Sequence, residues 1–420
     1  MTRPPSGNGK SISRIILRIL CGAVITAVSF HIILTFLADT QNQSMIRRGD
    51  FPAFYAAGES IRAGEAKLLY QPEWQQYLQN KSWPGLHGRY LYFSYPVWVA
   101  LPFLPLTFFP PLIAKFIFTL MLVLCLCAAV ILSDKIRSFW RKDSWIAAAF
   151  LFSFLPLTAS ILGGQNTAVS MLCYSVFLYG INRGEVKGWQ LSGIALGLWA
   201  FKIQYAAFFI AFALLAGFYR TGLTALGALF IEYGLSSFFA GWNWPVLWFE
   251  AARKHTLIDL QFNAYQMISL HGFSFALARQ LGFDESGARI LEAGAVFISG
   301  VIFFSMAKNF MVLKKIKEDE KKQRALFMFS AAAPAVLLIS PHALFYDCGL
   351  ILIAASLFLN FRFKADWALS GIIWIVGIAG FIFKQYFPFQ PLFFVCAGVL
   401  AWFYFKRNSG DGISINKEIP

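Results

Sequence analysis

Charge is scarce in this 420-residue chain: Asp, Glu, Lys and Arg make up 14% of it, against roughly a quarter in a soluble globular domain. That shortage excludes an ordinary water-soluble exterior. Only 5 histidines are present, and no set of His, Asp or Glu stands at an evident metal-ligand spacing. The cysteines Cys21, Cys125, Cys127, Cys173, Cys348 and Cys396 all lie inside apolar runs. They offer neither zinc spacing nor a disulfide framework. There is no phosphate-binding Gly-rich loop, no Rossmann fingerprint and no nucleophile elbow.

What is present is hydrophobic: 58% of residues, including 46 Phe, with a mean hydropathy of +0.59 over the whole chain. Such an excess belongs to a protein whose solvent is largely lipid, so residues 1–420 read as one membrane-embedded unit. The net charge of +15 does not indicate nucleic acid, because the basic residues sit in short loops between apolar runs. That placement marks cytoplasmic loops of a membrane protein.

A backbone in lipid must satisfy its own hydrogen bonds, so long apolar runs read as helices. The expected fold is all-α, a polytopic bundle of about twelve spans. They fall near 15–38, 110–133, 145–162, 166–181, 189–203, 204–219, 221–240, 287–307, 325–340, 348–361, 367–384 and 388–405. The first run follows a basic start but exceeds twenty residues and lacks a small-x-small cleavage site, so it reads as a retained helix rather than a signal peptide. The stretch 92–109 carries Pro96, Pro102 and Pro105. Prolines at that density break a helix, and the stretch reads as re-entrant or broken.

With the N-terminus inside, the loops "DKIRSFWRKD", "NRGEVKG", the basic loop 308–324, "NFRFKAD" and the C-terminal tail all fall in the cytoplasm. Two long outer loops, 39–91 and 241–286, are aromatic and polar. Phe54–Leu69 and Trp244–Asp259 within them have the spacing of amphipathic helices in the membrane plane.

The unusual polar residues gather on the outer side. Asp50 is suited to act as a general base or to cap the helix starting at Phe51. His342, beside Tyr346 and Asp347, can bind a phosphate or close a helix-boundary cluster. Lys202, with Gln204 near it, can hold a phosphate as a point charge or snorkel to the interface. "GGQN" at 163–166 reads as a tight turn between helices. Asn263 and His271 can bind sugar hydroxyls, whereas His87 and His255 read as solvated and His31 as a hydrogen-bonded helix residue.

In this order, "GDFPAFYAAGESIRAGEAKLLY", "FSYPVWVALPFLPLTFFPP", "GGQNTAVSMLCYSVFLYGINRGEVKGWQLSGIALGLWAFKIQ" and "LISPHALFYD" resemble glycosyltransferase family 87. That family includes bacterial mannosyl- and arabinofuranosyltransferases of the membrane-embedded GT-C type. The resemblance runs from Asp50 to Asp347. It implies a polyprenyl-phosphate-linked sugar donor, used on the face of the inner (plasma) membrane away from the cytoplasm, and a glycolipid or glycan acceptor. It makes Asp50 the general base and turns Lys202 and His342 toward the donor phosphate. Tyr95 and Gln165 would line the cavity, with Gln204, Tyr346 and Asp347 around them. It implies no metal and no cofactor. Other members often carry a proline after the lysine, where this chain has Ile203.

Two other classes compete. A transporter or flippase of lipid-linked sugars would carry mid-membrane charge and internal repeats, whereas the polar residues here cluster at one edge. A polysaccharide polymerase or ligase would depend on arginines in large outer loops.

Overall fold

The computed structural model describes residues 49–84, 90–137, 151, 153–359, 364–383 and 386–408. The expected first span at 15–38, with His31, and His87 lie outside the described residues. Among those described, the chain is helical, and its single β-contact is an isolated antiparallel bridge between Met267 and Leu344.

The helices in chain order are α1 (Phe51–Arg62), α2 (Pro72–Ser82), α3 (Pro111–Ile136), α4 (Leu155–Leu162), α5 (Thr167–Arg183), α6 (Val186–Leu198), α7 (Ile203–Leu215), α8 (Tyr219–Ala240), α9 (Trp244–Asn263), α10 (Leu270–Gln280), α11 (Glu285–Leu313), α12 (Glu318–Ile339), α13 (Gly349–Ser356), α14 (Lys364–Ile382) and α15 (Leu392–Asn408). Proline occupies one of the first two positions of α1, α2, α3, α4 and α9. There its missing N–H costs nothing and its fixed φ suits the helix. Residues Val97–Phe108, with Pro102 and Pro105 inside, form a 3-10 helix.

Among the described residues, six helical stretches are long and apolar enough to cross a membrane, or seven if the pair α4 and α5, bent by 114°, counts as one. These do not confirm the expected twelve. Helices α4 and α13 have 8 residues each, about 12 Å of rise, and the expected runs around them, 145–162 and 348–361, extend outside the described residues. The outward faces confirm a lipid environment. Phe230, Ile231 and Phe238 on α8 and Phe297 and Phe304 on α11 are all at least 70% exposed, a surface that water would not tolerate. The core lies between α5, α7, α12 and α13, where Phe177, Phe209, Phe329 and Ile351 are fully buried.

One of the six stretches, Val186–Leu215, is not a straight rod. Thirty helical residues would separate its ends by about 45 Å. Yet Thr221, just past its end, donates from Oγ1 to the carbonyl of Trp189 at 3.0 Å, near its beginning. So α6 and α7 fold back on each other, with the 3-10 turn Trp199–Lys202 at the tip. The split at Lys202 expected from the sequence is therefore real, but each arm is 13 residues, shorter than a full span.

The hairpin sets two ends of the bundle. At its base, Lys322 donates to the carbonyl of Arg183 at 3.4 Å, Lys321 sits over the Phe218 ring and Lys314 over Tyr219. At its tip, about 20 Å along α6, Lys202 is buried. The basic stretch 308–324 is mostly helix, since α11 runs to Leu313 and α12 starts at Glu318. Close packing of α5 on α6 depends on Gly180 and Gly188: a Cβ on Gly180 would lie 2.4 Å from the Gly188 carbonyl oxygen, as in small-residue contacts between membrane helices.

The two helices expected to be amphipathic in the long loops part ways. Helix α1 stops at Arg62, before Gly64 with φ +75°, and Phe51 through Ile61 are buried. It is a core helix packed on the Val97–Phe108 segment and buried on every side, rather than the amphipathic helix expected. Helix α9 is two-faced: Val246, Phe249 and Leu257 are exposed on one side, and His255 and Asp259 lie on the other by helical spacing.

Candidate active site

Polar side chains from six segments converge at the tip of the α6–α7 hairpin. Asp50 occupies the N-cap position of α1, but its side chain makes no capping hydrogen bond. Instead Gln165 Nε2 donates to Oδ1 at 3.0 Å and the Tyr95 hydroxyl approaches Oδ2 at 3.4 Å. Of the two roles open to Asp50 in the sequence, capping is thus not made.

The "GGQN" turn delivers Gln165. Gly164 takes φ +65° and lies so close to α1 that a Cβ on it would meet the Phe51 Cβ at 2.8 Å. Only glycine accepts both conditions. Gln165 Oε1 is buried with no hydrogen-bond partner, an acceptor left over for a ligand hydroxyl. Burial, and then the Asp259 charge, raise the Asp50 pKa; the Gln165 hydrogen bond and the charges of Lys202 and His342 oppose this. Burial also lifts Tyr95 well above the usual tyrosine range, so its hydroxyl stays a donor.

Lys202 is buried and ion-paired with Asp347. The same carboxylate accepts from the Tyr205 hydroxyl at 2.8 Å and the Leu344 N–H at 3.2 Å. The Lys202 ammonium also lies over the rings of Tyr205 and Tyr346, at 5.5 and 5.6 Å. Gln204 donates to the His342 carbonyl at 3.3 Å.

His342 points elsewhere than Lys202. Its Nε2 lies 2.6 Å from Asp259 Oδ2 on α9. His255, one helical turn before, places Nε2 3.6 Å from the same oxygen. His255 is not solvated as expected: its ring packs on Tyr92 and its Nδ1 is 3.0 Å from Ser94 Oγ. Burial opposes the Asp259 charge, but the His342 hydrogen bond and the neighbouring His255 outweigh it and hold the carboxyl below its ordinary pKa. His255 is itself lowered, by burial first. The second long loop is pinned to the His342 segment by the bridge at Met267 and by Ile268 N–H donating to the Ala343 carbonyl at 2.9 Å.

The remaining candidates separate. Asn263 is at the site's margin, donating to Asp259 Oδ1 at 2.7 Å. His271 pairs instead with Glu292 at 3.6 Å and makes no contact with the Asp50 or Lys202 groups among the described residues. Sequence reading missed Asp259, His255, Ser94 and Tyr205. The i, i+4 spacing of His255 and Asp259 was the one available signal. Two surface clefts, lined by residues such as Glu73 and Tyr77 or Phe262 and Arg279, include none of these side chains.

The model of one family, glycosyltransferase family 87, matches residues 93–341, more than half of the chain. No curated protein and no solved structure matches it. The match covers the segments bearing Tyr95, Gln165, Lys202 and Asp259, and ends one residue before His342.

Proposed function

This chain belongs to glycosyltransferase family 87, and on that premise we propose that it transfers a sugar, mannose or another hexose or pentose, from a polyprenyl-phosphate donor to a lipid or glycan acceptor. A polyprenyl donor is too apolar for water, so it must reach the site from the lipid side. The hairpin tip, remote from the lysine-rich base, suits this. By the positive-inside rule the base lies in the cytoplasm, and the tip then faces the periplasm.

The observation that carries the chemistry is the uncapped carboxylate of Asp50. It is half-buried and oriented by Gln165 and Tyr95, with a pKa moved toward the range where a base is useful. In the proposed step Asp50 takes the proton of the acceptor hydroxyl. The acceptor oxygen attacks the anomeric carbon as the bond to the phosphate oxygen breaks, and the configuration inverts. The polyprenyl phosphate leaves with the bonding electrons. His342 and Lys202 supply positive potential toward that anion. One base suffices for this displacement, whereas retention would need a separate nucleophile.

Asp50→Asn and Asp50→Ala test the reading, in proteoliposomes holding a polyprenyl-phosphate sugar and an extract of cell-envelope acceptors. Transfer is expected to fall by about 10²–10⁴-fold while the variants insert normally. Wild-type turnover in Asp50→Ala would remove Asp50 from the chemistry.

A further inference from the structure

The group on the inner face of α9 has no part as a whole in the step above. His255 and Asp259 stand one turn apart on α9, which places them side by side. His342 is brought to them from 83 residues away. One ring nitrogen of His255, one of His342 and an oxygen of Asp259 all lie within 4.8 Å of one another. We propose that these three side chains bind a divalent transition-metal ion of the zinc type, leaving one coordination position open to an anionic oxygen.

Three lines of geometry support this. First, ligands about 2.0–2.1 Å from a tetrahedral zinc lie roughly 3.3 Å apart. The Asp259 oxygen sits 2.6 and 3.6 Å from the two imidazole nitrogens, so small rotations of the side chains close the site. Second, the atoms facing away from the ion are already held. Ser94 Oγ meets His255 Nδ1 at 3.0 Å, and Asn263 donates to Asp259 Oδ1 at 2.7 Å. Ser94 is in turn anchored through its carbonyl by the Trp248 indole at 2.9 Å. Such outer partners fix the tautomer and the angle of metal-binding side chains. Third, two imidazoles with one carboxylate select zinc-like ions over magnesium or calcium, which prefer all-oxygen shells. The three-ligand set also matches catalytic rather than structural zinc sites, which are usually closed by four ligands. Bound there, the cation would add positive charge to the cluster in which Asp259 and His342 already act on Asp50.

The inference rests on the three ligands and not on the identity of the donor, so it is tested by binding. The tag-free full chain in detergent, stripped of metal with a chelator, is titrated with Co²⁺ and then with Zn²⁺. One Co²⁺ per chain is expected, with the visible absorption of a four- or five-coordinate ion, no thiolate charge-transfer band, displacement by Zn²⁺ and no competition from Mg²⁺. His255→Ala, Asp259→Asn and His342→Ala should each abolish stoichiometric binding. Ser94→Ala and Asn263→Ala, which leave the ligands in place, should weaken it about 10–100-fold. Absence of the absorption in the unaltered chain, or the same binding in the ligand variants, overturns the proposal and leaves a hydrogen-bonded His–Asp–His triad only. A chain that binds the ion but transfers no sugar would fail the transfer reading alone.

Discussion

Two aspartates at the hairpin tip, Asp347 and Asp50, live in opposite circumstances. Asp347 is saturated: it holds the Lys202 ammonium, the Tyr205 hydroxyl and a backbone N–H, and all of these partners belong to the protein. Asp50 has one good hydrogen bond, from Gln165, and one long contact with Tyr95. A saturated carboxylate holds structure, and a partly satisfied one next to a buried, unpaired amide oxygen has capacity left for a substrate. The contrast also limits Lys202, whose charge is largely committed to Asp347 before any phosphate arrives.

The largest effect expected from this contrast is on chemistry at Asp50 and on stability at Asp347. Asp50→Asn should lose transfer with little change in thermal unfolding. Lys202→Met should cost about 3–5 kcal/mol of stability, because it strands a buried Asp347 charge. Adding Asp347→Leu should recover part of that loss. Unfolding of the detergent-solubilised variants measures both, and an unchanged midpoint for Lys202→Met would erase the distinction between the two aspartates.

A smaller effect is expected at His342. Removing its charge-assisted hydrogen bond should raise the donor KM about tenfold and leave the acceptor KM nearly constant. The opposite split would assign His342 to the acceptor side.

The smallest effect is on pH. In the proposed role Asp50 must be a carboxylate, so transfer should fall as pH drops through its pKa. Burial and the Asp259 charge raise that pKa, which places the acid limb above the ordinary carboxylate range. Gln165→Ala removes a hydrogen bond that lowers it and should move the limb further up. A limb that stays in place or moves down would disconnect Gln165 from the base.

His271 shows why some of the site was not legible in advance. It is polar, aromatic and in the same stretch 241–286 as His255, yet it faces Glu292 while His255 faces Asp259 and Ser94. Nothing in composition or local spacing separates the two histidines, because the helix face each occupies matters only once a neighbour is packed against it. The count of twelve spans is not confirmed, for a related reason. Apolar runs of about a dozen residues look alike in sequence whether they cross a bilayer or turn back inside the protein, as α6 and α7 show.

By itself the sequence determined that this is an all-helical membrane protein, because charge is scarce and long unbroken apolar runs in lipid satisfy their backbone within one segment as helices. It also carried the ordered motifs of the family, in which Asp50, Lys202 and His342 already stood out. Tertiary structure alone decided that Asp50 does not cap its helix, that Lys202 is tied to Asp347, and that His342 meets His255 and Asp259. Those outcomes depend on contacts between residues 83 to 145 positions apart, and the partner a buried charge finds is settled only when the helices that carry both are packed.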